Sequence, residues 1–301
     1  MPDQSSCKID MMTKLRNFPP VRFFIGILPI TLWEGIFFIL PVLLIFIVSF
    51  LVVKDLRLVF QWTLANYTDI FSKTPYWIAY IRSFQLSLTA VVLSAVLAYP
   101  LAYAIAFVIP ARFRRLLMVA MILPFWTNYL IRAYSWQIIL ANNGLFNEVL
   151  KVIKIIETPI TILYTHVATE IGFIHFYMVL MTMLLHSSMD AINRNLLEAA
   201  KDLGAGKLRT FFEIIFPLSL PGLIVGSIFV FIMSFGDFVA PSILGGGKKP
   251  VFTQMVVDEI QGTVNLSTAS ALAAVMVVTI LVVLILFLRR AESTLTGRST
   301  R

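Results

Sequence analysis

The segment that decides the fold is DAINRNLLEAAKDLGAGKLRTFFEIIFPLSLPG, residues 190–222, which separates two long apolar blocks of the chain. Its first part, residues 190–203, favours a helix because small and apolar side chains recur there at helical spacing. The members of this apolar stripe are Leu196, Ala199, Ala200 and Leu203. Charged side chains are too frequent here for the stripe to face lipid, so the stripe needs a protein partner.

The second part of the segment predicts a reversal of the chain. Gly204 and Gly206 end the first helix and allow a tight turn. A helical pattern then resumes at residue 207 and runs until Pro217. Residues 190–217 are therefore predicted to form a helix–turn–helix hairpin that lies outside the membrane.

On both sides of the hairpin, the chain consists of apolar blocks that are long enough to cross a bilayer. The 301 residues are 59% hydrophobic and 13% charged, whereas a soluble domain carries about 25% charged residues. A helix needs roughly 20 apolar residues to cross the hydrocarbon core. Six blocks meet this length: 31–53, 84–109, 116–140, 161–187, 218–243 and 267–288. The first, third and fifth are interrupted by Pro41, Pro124 and Pro241. The predicted fold class is an all-α membrane protein with six transmembrane helices in one domain, residues 31–288.

The basic residues predict the orientation of these spans. Fifteen of the 24 lysines and arginines lie in the tails and in the loops on the side of the hairpin, and eight lie in the opposite loops. The positive-inside rule therefore places both tails, residues 1–30 and 289–301, in the cytoplasm. The net charge of +8 then reflects topology and lipid contact, and no soluble basic domain indicates nucleic-acid binding.

The loops and the reactive side chains narrow the function classes. The outer loops 54–83 and 141–160 contain aromatic residues and are predicted to hold short interfacial helices. Cys7 is the only cysteine, which excludes a disulfide or a thiolate metal site within the chain. The three histidines form no ligand pattern, and no nucleophile–base arrangement is present, so we expect neither a metal site nor an enzyme.

The hairpin carries a motif that resembles the signature of permeases from binding-protein-dependent ABC importers. That signature is Glu-Ala-Ala, three residues, Gly, nine residues, then Ile-x-Leu-Pro. The matching positions are Glu198, Ala199, Ala200, Gly204, Ile214 and Pro217, and Phe216 stands where the family has leucine. The resemblance implies a type I importer (MetI-like) architecture, in which this hairpin docks into a groove of an ATPase subunit.

The same resemblance implies a set of partners in the bacterial inner membrane. A second, homologous permease, two ATPase subunits and a periplasmic solute-binding protein are expected to complete the importer. The phosphate-binding pattern G-x-x-x-x-G-K-S/T is absent from the sequence. We therefore expect ATP and magnesium to bind the separate ATPase subunits and this chain to hold no cofactor.

Two further segments predict the cargo. LPFWTNYLIRAY, residues 123–134, and FGDFVAPSILGG, residues 235–246, look like the corresponding segments of spermidine/putrescine permeases. This narrower resemblance implies a polyamine cargo. Permeases for other small solutes share much of the same pattern, so an opine, an amino-acid derivative, thiamine or an oxyanion remains an alternative.

Three ionisable residues fall inside predicted spans, where a charge is costly and indicates a function or a partner. These are Arg132, Glu170 and Asp237. Their similar depth allows Arg132 to pair with either carboxylate, which would cancel much of the cost of burial. Alternatively, the carboxylates face the transport path, where an unpaired Asp237 would be the first choice to bind an ammonium group.

Aromatic and polar residues accompany these charges. Trp126 and Tyr129 share one face of the third span, and Asn128 and Arg132 fall on the neighbouring face. Aromatic faces suit the methylenes and the charges of a polyamine. In the fourth span, Tyr177 shares a face with Glu170. Such aromatic stripes also occur as packing surfaces between membrane helices.

Two other classes of membrane protein remain open at this point. An ion-coupled carrier that works alone would transport without an ATPase and would tolerate change at Glu198 and Gly204. A scaffold that transports nothing would leave the polar residues inside the spans without a purpose.

Overall fold

The computed structural model of the protein describes residues 20–55, 57–247 and 249–296. Most of the predicted N-terminal tail and residues 297–301 of the predicted C-terminal tail lie outside the described residues. The described elements are, in chain order, α1 Pro20–Glu34, α2 Leu40–Val48, β1 Val52–Lys54, β2 Arg57–Val59, α3 Ala65–Ser72, α4 Thr74–Tyr103, α5 Ala111–Ile122, α6 Tyr129–Leu140, α7 Leu145–Val152, α8 His166–Asp190, α9 Arg194–Asp202, α10 Lys207–Thr210, α11 Phe216–Gly236, α12 Val239–Ile243, α13 Phe252–Gln261 and α14 Leu266–Thr296.

Short turns of other helical types extend or join several of these helices. A π-helical turn over Gly35–Ile39 joins α1 to α2, and another over Phe211–Ile215 joins α10 to α11. Each lies just before a proline, Pro41 or Pro217, whose ring would clash with the carbonyl four residues earlier in a regular α-helix. The wider turn avoids that clash. The helix therefore continues through Pro217, where the sequence predicted its end.

Five described helical segments are long and apolar enough to cross a membrane. They are Ile27–Val48, Thr74–Val108, His166–Asp190, Lys207–Gly236 and Leu266–Arg289. A sixth span exists if Ala111–Trp126 and Tyr129–Val152 are counted as one, with a bend of 92° between them. The all-α membrane fold is confirmed, but the predicted third span, 116–140, is not one straight helix.

The bend has a local cause. A 3₁₀ turn over Leu123–Trp126, which contains Pro124, ends α5, and Thr127 is extended. Asn128 then begins a new helix, because its side-chain oxygen accepts a hydrogen bond from the backbone N–H of Leu130 at 2.8 Å. Such a cap satisfies one of the free donors at a helix start. The sequence therefore ends one helix and starts another within the block.

The predicted fifth span, 218–243, is also divided. The helix starts earlier, at Lys207, and ends at Gly236. Asp237 is extended, with φ −80° and ψ 127°, and α12 follows it. The carboxylate oxygen Oδ1 of Asp237 accepts a hydrogen bond at 2.7 Å from the N–H of Val239, the first residue of this short helix. A charged residue thus occupies a helix break within the bundle.

Helices α4, α8 and α11 pack against one another and form the core. Small side chains on one face of α4 let its neighbours approach closely, which is the usual packing solution between membrane helices. The buried members of this face are Ala79, Ser83, Ser87, Ala90, Ser94, Ala98 and Ala102. Large side chains from the other two helices, including Phe173, Phe176 and Phe231, fill the space between them.

The outer elements pack around this core. Helix α14 contacts α11, α13 and α2. The span Ile27–Val48 contributes no buried residue among those described. The loops 54–83 and 141–160 do contain short helices, as the sequence predicted: α3 in the first and α7 in the second. Strands β1 and β2 form an antiparallel hairpin in which Val52 pairs with Val59.

Candidate functional site

The hairpin between α8 and α11 consists of two helices, α9 and α10, joined by a turn. The side chain of Asn193 caps α9 by accepting from the N–H of Asn195 at 3.0 Å. At the other end, Ala205 N–H donates to the carbonyl of Ala200 and Gly204 N–H donates to that of Lys201, both at 2.9 Å. These two bonds define a Schellman motif, in which the residue after the helix adopts a left-handed conformation.

Gly204 is the residue that this motif requires, since its φ is +76°. Gly206 precedes α10 with φ −71°, which any L-residue can adopt. The sequence assigned the turn to both glycines, whereas the backbone needs only the first of them. The reversal lets α10 and α11 continue as one helical segment back into the bundle.

The hairpin presents an apolar surface that its own chain does not cover. Within the predicted stripe Ala200 is buried, while Leu196 and Ala199 are exposed and Leu203 is 88% exposed. Further along the hairpin, Leu208 is 77% exposed and Phe212 is also exposed. The described part of the chain leaves this surface without a protein partner.

The remaining motif positions are Glu198, Ile214 and Pro217. Glu198 is exposed and forms no ion pair with the described residues, and Ile214 is half-buried. Pro217 lies near the start of α11, inside the continuous helix.

A cleft of about 560 Å³ lies between α6, α8 and the break after α11. It brings together Tyr129, Arg132 and Asp237, three of the six residues predicted for the transport path. The full lining is Phe125, Tyr129, Arg132, Phe176, Tyr177, Leu180, Met233, Gly236, Asp237, Phe238 and Val239. The wall is therefore mostly aromatic and aliphatic, with one carboxylate and one guanidinium.

Asp237 is held at the wall of this cleft by hydroxyl donors. Its Oδ2 accepts from the hydroxyl of Tyr129 and from that of Tyr177, the latter at 3.0 Å. Its Oδ1 accepts the N–H of Val239 at 2.7 Å. The residue is only 8% exposed. These three bonds offset the cost of burying a carboxylate without using a cation.

Arg132 does not pair with either predicted carboxylate. Its guanidinium lies over the rings of Phe125, Phe176 and Tyr129, with its carbon 4.8, 5.2 and 5.8 Å from the ring centroids. Among the described residues, its Nε and Nη1 are buried and have no hydrogen-bond partner. Cation–π contact stabilises the charge here, and the predicted ion pair with Glu170 or Asp237 is not formed.

Glu170 lies in a different groove from Asp237. This groove, of about 630 Å³, runs between α4 and α8 and contains Arg82 and His166 among its lining residues. Thr89 donates to Oε1 of Glu170, while Oε2 is buried without a partner among the described residues. The carboxylates predicted for one path therefore belong to two separate surfaces.

The other two predicted path residues lie outside the cleft. Trp126 is 87% exposed and does not line it, and Asn128 serves as the helix cap described above. Sequence reasoning missed Phe125 and Phe176, which form two of the rings around Arg132. Phe176 has no distinguishing signal in the sequence, because it is one apolar residue within a mostly apolar helix.

Comparisons with known proteins agree with these observations. Residues 98–293 match a family model described as "Binding-protein-dependent transport system inner membrane component". The spermidine/putrescine transport system permease protein PotB of Escherichia coli is 39% identical over 218 residues, 72% of this chain and 78% of that protein. PotB of Haemophilus influenzae is 32% identical over 267 residues, which cover 88% of this chain and 92% of that protein.

Solved structures share the fold at low sequence identity. A bacterial ABC transporter involved in the import of the acidic polysaccharide alginate aligns with a TM-score of 0.73 at 17% identity. The alignment covers 94% of this chain and 98% of that one. A bacterial alginate ABC transporter in complex with an alginate pentasaccharide-bound periplasmic protein aligns with a TM-score of 0.71 at 16% identity, covering 88% of this chain and 92% of that one.

Proposed function

The chain belongs to the family of inner membrane components of binding-protein-dependent transport systems, and we propose that it is the permease subunit of an ABC importer for polyamines. The PotB relatives, at 32–39% identity over most of the chain, support spermidine and putrescine as cargo. The multi-pass bundle in the inner membrane supplies the transport path. The distribution of basic residues supports a cytoplasmic position for the hairpin and for both tails.

The observation that carries the cargo assignment is the carboxylate of Asp237 at the wall of an aromatic cleft. The donors that reach Asp237 are hydroxyl and backbone N–H groups, and it forms no ion pair with the described residues. An ammonium group in the cleft would therefore meet a carboxylate that no cation already neutralises. The rings of Phe125, Tyr129 and Phe176 already lie against Arg132, whereas Phe238 lines the cleft and is 43% exposed. Its ring offers a surface for methylene groups and for cation–π contact. A polyamine carries both kinds of group.

The hairpin is proposed to connect this path to ATP hydrolysis. ATP and magnesium bind two separate ATPase subunits, and the exposed apolar surface around Leu203 and Leu208 docks on one of them. Covering a fully exposed leucine contributes about 1.5–3 kcal/mol, so two such side chains supply a substantial part of a docking energy. Glu198, exposed on the same helix, faces the same partner.

Transport then proceeds by alternating access. A periplasmic solute-binding protein delivers the cargo, and a second, homologous permease completes the path along the open side of the cleft. Closure of the ATPase subunits moves the hairpin and shifts the bundle between inward-facing and outward-facing states. Each ligand acts by binding one of these states more tightly than the other.

Arg132 supports a second candidate, an anionic cargo. Its guanidinium lies in the same cleft as Asp237 and has two nitrogen atoms without partners among the described residues. An oxyanion in the cleft would be attracted to this positive charge, which forms no ion pair with the described residues. The same importer would then carry a negatively charged small solute.

The test is uptake by the complete importer in proteoliposomes, assembled with its second permease, ATPase subunits and binding protein. Labelled spermidine and putrescine are supplied outside, with and without ATP inside. Glu198→Ala and Asp237→Asn are compared with the wild type, and Glu157→Ala and Asp258→Asn, both exposed, serve as matched controls.

Each proposal has a distinct outcome. ATP-dependent polyamine uptake that is strongly reduced in Glu198→Ala and Asp237→Asn, but kept in the controls, supports both the coupling role and the cargo. ATP hydrolysis without polyamine uptake would overturn the cargo and favour the anionic candidate. A permease that binds no ATPase subunit would overturn the importer itself and favour a carrier that works alone.

A further inference from the structure

A backbone carbonyl at the hairpin end of α4 lacks its usual helical donor. Helix α4 continues as a π-helical turn over Ala104–Val108 and the chain then leaves the helix at Pro110. Proline has no N–H, so residue 110 cannot donate to the carbonyl of Ala106 four residues earlier. Ala106 is fully buried. A buried carbonyl of this kind needs a donor from elsewhere in the protein.

Two arginines supply that donor from two other helices. Nη2 of Arg114, on α5, donates to the carbonyl oxygen of Ala106 at 2.9 Å. Nη2 of Arg194, the first residue of α9, donates to the same oxygen at 2.8 Å. Hydrogen bonds from a charged donor are stronger than neutral ones. The positive charges also suit the C-terminal end of a helix, where the carbonyl dipoles point outward.

Further contacts connect the two arginines to α8 and to Phe107. Nη1 of Arg114 forms an ion pair with Asp190, the last residue of α8, at 3.0 Å. The guanidinium of Arg194 also lies 5.8 Å from the ring centroid of Phe107. One carbonyl and two guanidinium groups thus connect the ends of α4, α5, α8 and α9. We call this group, Ala106, Arg114, Asp190 and Arg194, the arginine joint.

The hairpin connects to the bundle in two unequal ways. Its second helix, α10, continues without interruption into α11, so that any displacement of the hairpin moves α11 directly. Its first helix, α9, is followed and preceded by turns, and Arg194 bonds it to the end of α4. Glu198 lies about one turn further along the same helix. A displacement of α9 can therefore act on α4 through the arginine joint.

We infer that Arg114 and Arg194 are positioning residues that transmit movement of the hairpin to α4. This inference rests on the proposed docking of the hairpin to an ATPase subunit. Helix α4 packs along α8 and α11 through its small side chains, so a displacement of its end also moves residues in the core of the bundle. When the joint is lost, α11 still follows the hairpin but α4 does not, and hydrolysis no longer produces a full change of state.

The test measures ATP hydrolysis and cargo uptake in the same proteoliposomes with the complete importer. The readout is the number of ATP molecules hydrolysed for each labelled spermidine taken up. Arg194→Gln and Arg114→Gln remove the charged donors, and Arg194→Lys keeps one of them. Arg115→Gln is the matched control, because Arg115 is exposed and adjacent to Arg114.

We expect the two glutamine variants at the joint to retain hydrolysis and to raise the ATP cost per cargo by about threefold or more, since changes along a coupling network shift coupling on this scale. Arg194→Lys is expected to return the ratio towards the wild-type value, and Arg115→Gln to leave it unchanged. A role in stability alone would lower hydrolysis and uptake together and leave the ratio constant, which would overturn the inference.

If Arg194→Gln does not assemble, the ratio in Arg114→Gln decides the question by the same criterion. The inference can fail while the proposed function holds. A failure of the proposed function appears in the wild type, whereas a failure of the joint appears only in the variants.

Discussion

Replacing Gly204 by serine tests whether the turn of the hairpin depends on the backbone of one residue. Gly204 has φ +76°, and the two hydrogen bonds of the Schellman motif close around it. A Cβ atom at this position would meet no atom within 4 Å. The substitution therefore adds backbone strain without a steric clash. Gly206→Ser is the matched control, because φ there is −71° and a Cβ would also meet no atom within 4 Å.

The size of the effect follows from the conformation. Holding an L-residue in the left-handed region costs about 1–2 kcal/mol, which corresponds to a factor of about 5–30 in an opening equilibrium. Gly206 occupies the N-cap of α10, where serine is a favourable residue, so Gly206→Ser is expected to leave the hairpin unchanged or slightly more stable. Gly204→Asn should fall between the two, since asparagine tolerates the left-handed region best among residues other than glycine.

Hydrogen–deuterium exchange of the chain in lipid nanodiscs measures this local opening. The amides to follow are those of Gly204 and Ala205, which donate the two bonds of the motif. Their protection factors, corrected for intrinsic exchange rates, should fall about 5- to 30-fold in Gly204→Ser and should be preserved in Gly206→Ser. Equal loss in both variants, or no loss in Gly204→Ser, would refute the argument that a left-handed residue holds the turn.

Three further predictions concern the cleft and its supporting helix. Asn128→Ala should destabilise the fold by about 1 kcal/mol, because α6 loses its N-cap; the measurement is a lower thermal unfolding midpoint in detergent. Asn128→Asp keeps the acceptor and should keep the midpoint. An equal decrease of the midpoint in both variants would contradict the capping role. Asp237→Asn should reduce spermidine uptake by about tenfold or more, because a charge-assisted hydrogen bond to the cargo is weakened. Glu170→Gln, in the separate groove, should reduce spermidine uptake less than Asp237→Asn does. A larger reduction in Glu170→Gln would place the transport path along α4 instead. Arg132→Met should raise the equilibrium affinity of the solubilised importer for spermidine several-fold, because it removes a positive charge from the cleft. Arg132→Lys keeps the charge and should leave the affinity unchanged. Weaker spermidine binding by Arg132→Met would contradict the placement of the cargo in this cleft.

Local features of the sequence were enough to predict the class of fold and the position of the hairpin. Apolar blocks of this length are typical of helices that cross a bilayer, and the charged residues between them mark where the chain leaves the membrane. The six matched motif positions, with Gly204 among them, identified the hairpin because a left-handed turn is encoded by one residue and its neighbours. The family comparison confirms the family that the motif indicated, over residues 98–293.

The breaks in the third and fifth blocks were predicted less well. Pro124 indicated an interruption, but not that Asn128 would begin a new helix at 92° to the first part. Hydropathy averages over a window, and a single capping side chain does not change that average. For the same reason, the sequence did not predict that Asp237 is extended and lies outside the regular helix.

The sequence by itself therefore determined the apolar blocks, the position of the hairpin and the polar residues that lie within the blocks, because composition, helical spacing and turn chemistry are local. Only the tertiary structure decided which of those residues meet. It brought Tyr129 and Tyr177, from two helices, to Asp237 in the break after a third, placed Glu170 in another groove, and surrounded Arg132 with aromatic rings in place of a carboxylate. It also brought Arg194 to the carbonyl of Ala106, 88 residues away in the chain. These contacts depend on how the helices are rotated and tilted against one another, and packing between helices sets that geometry.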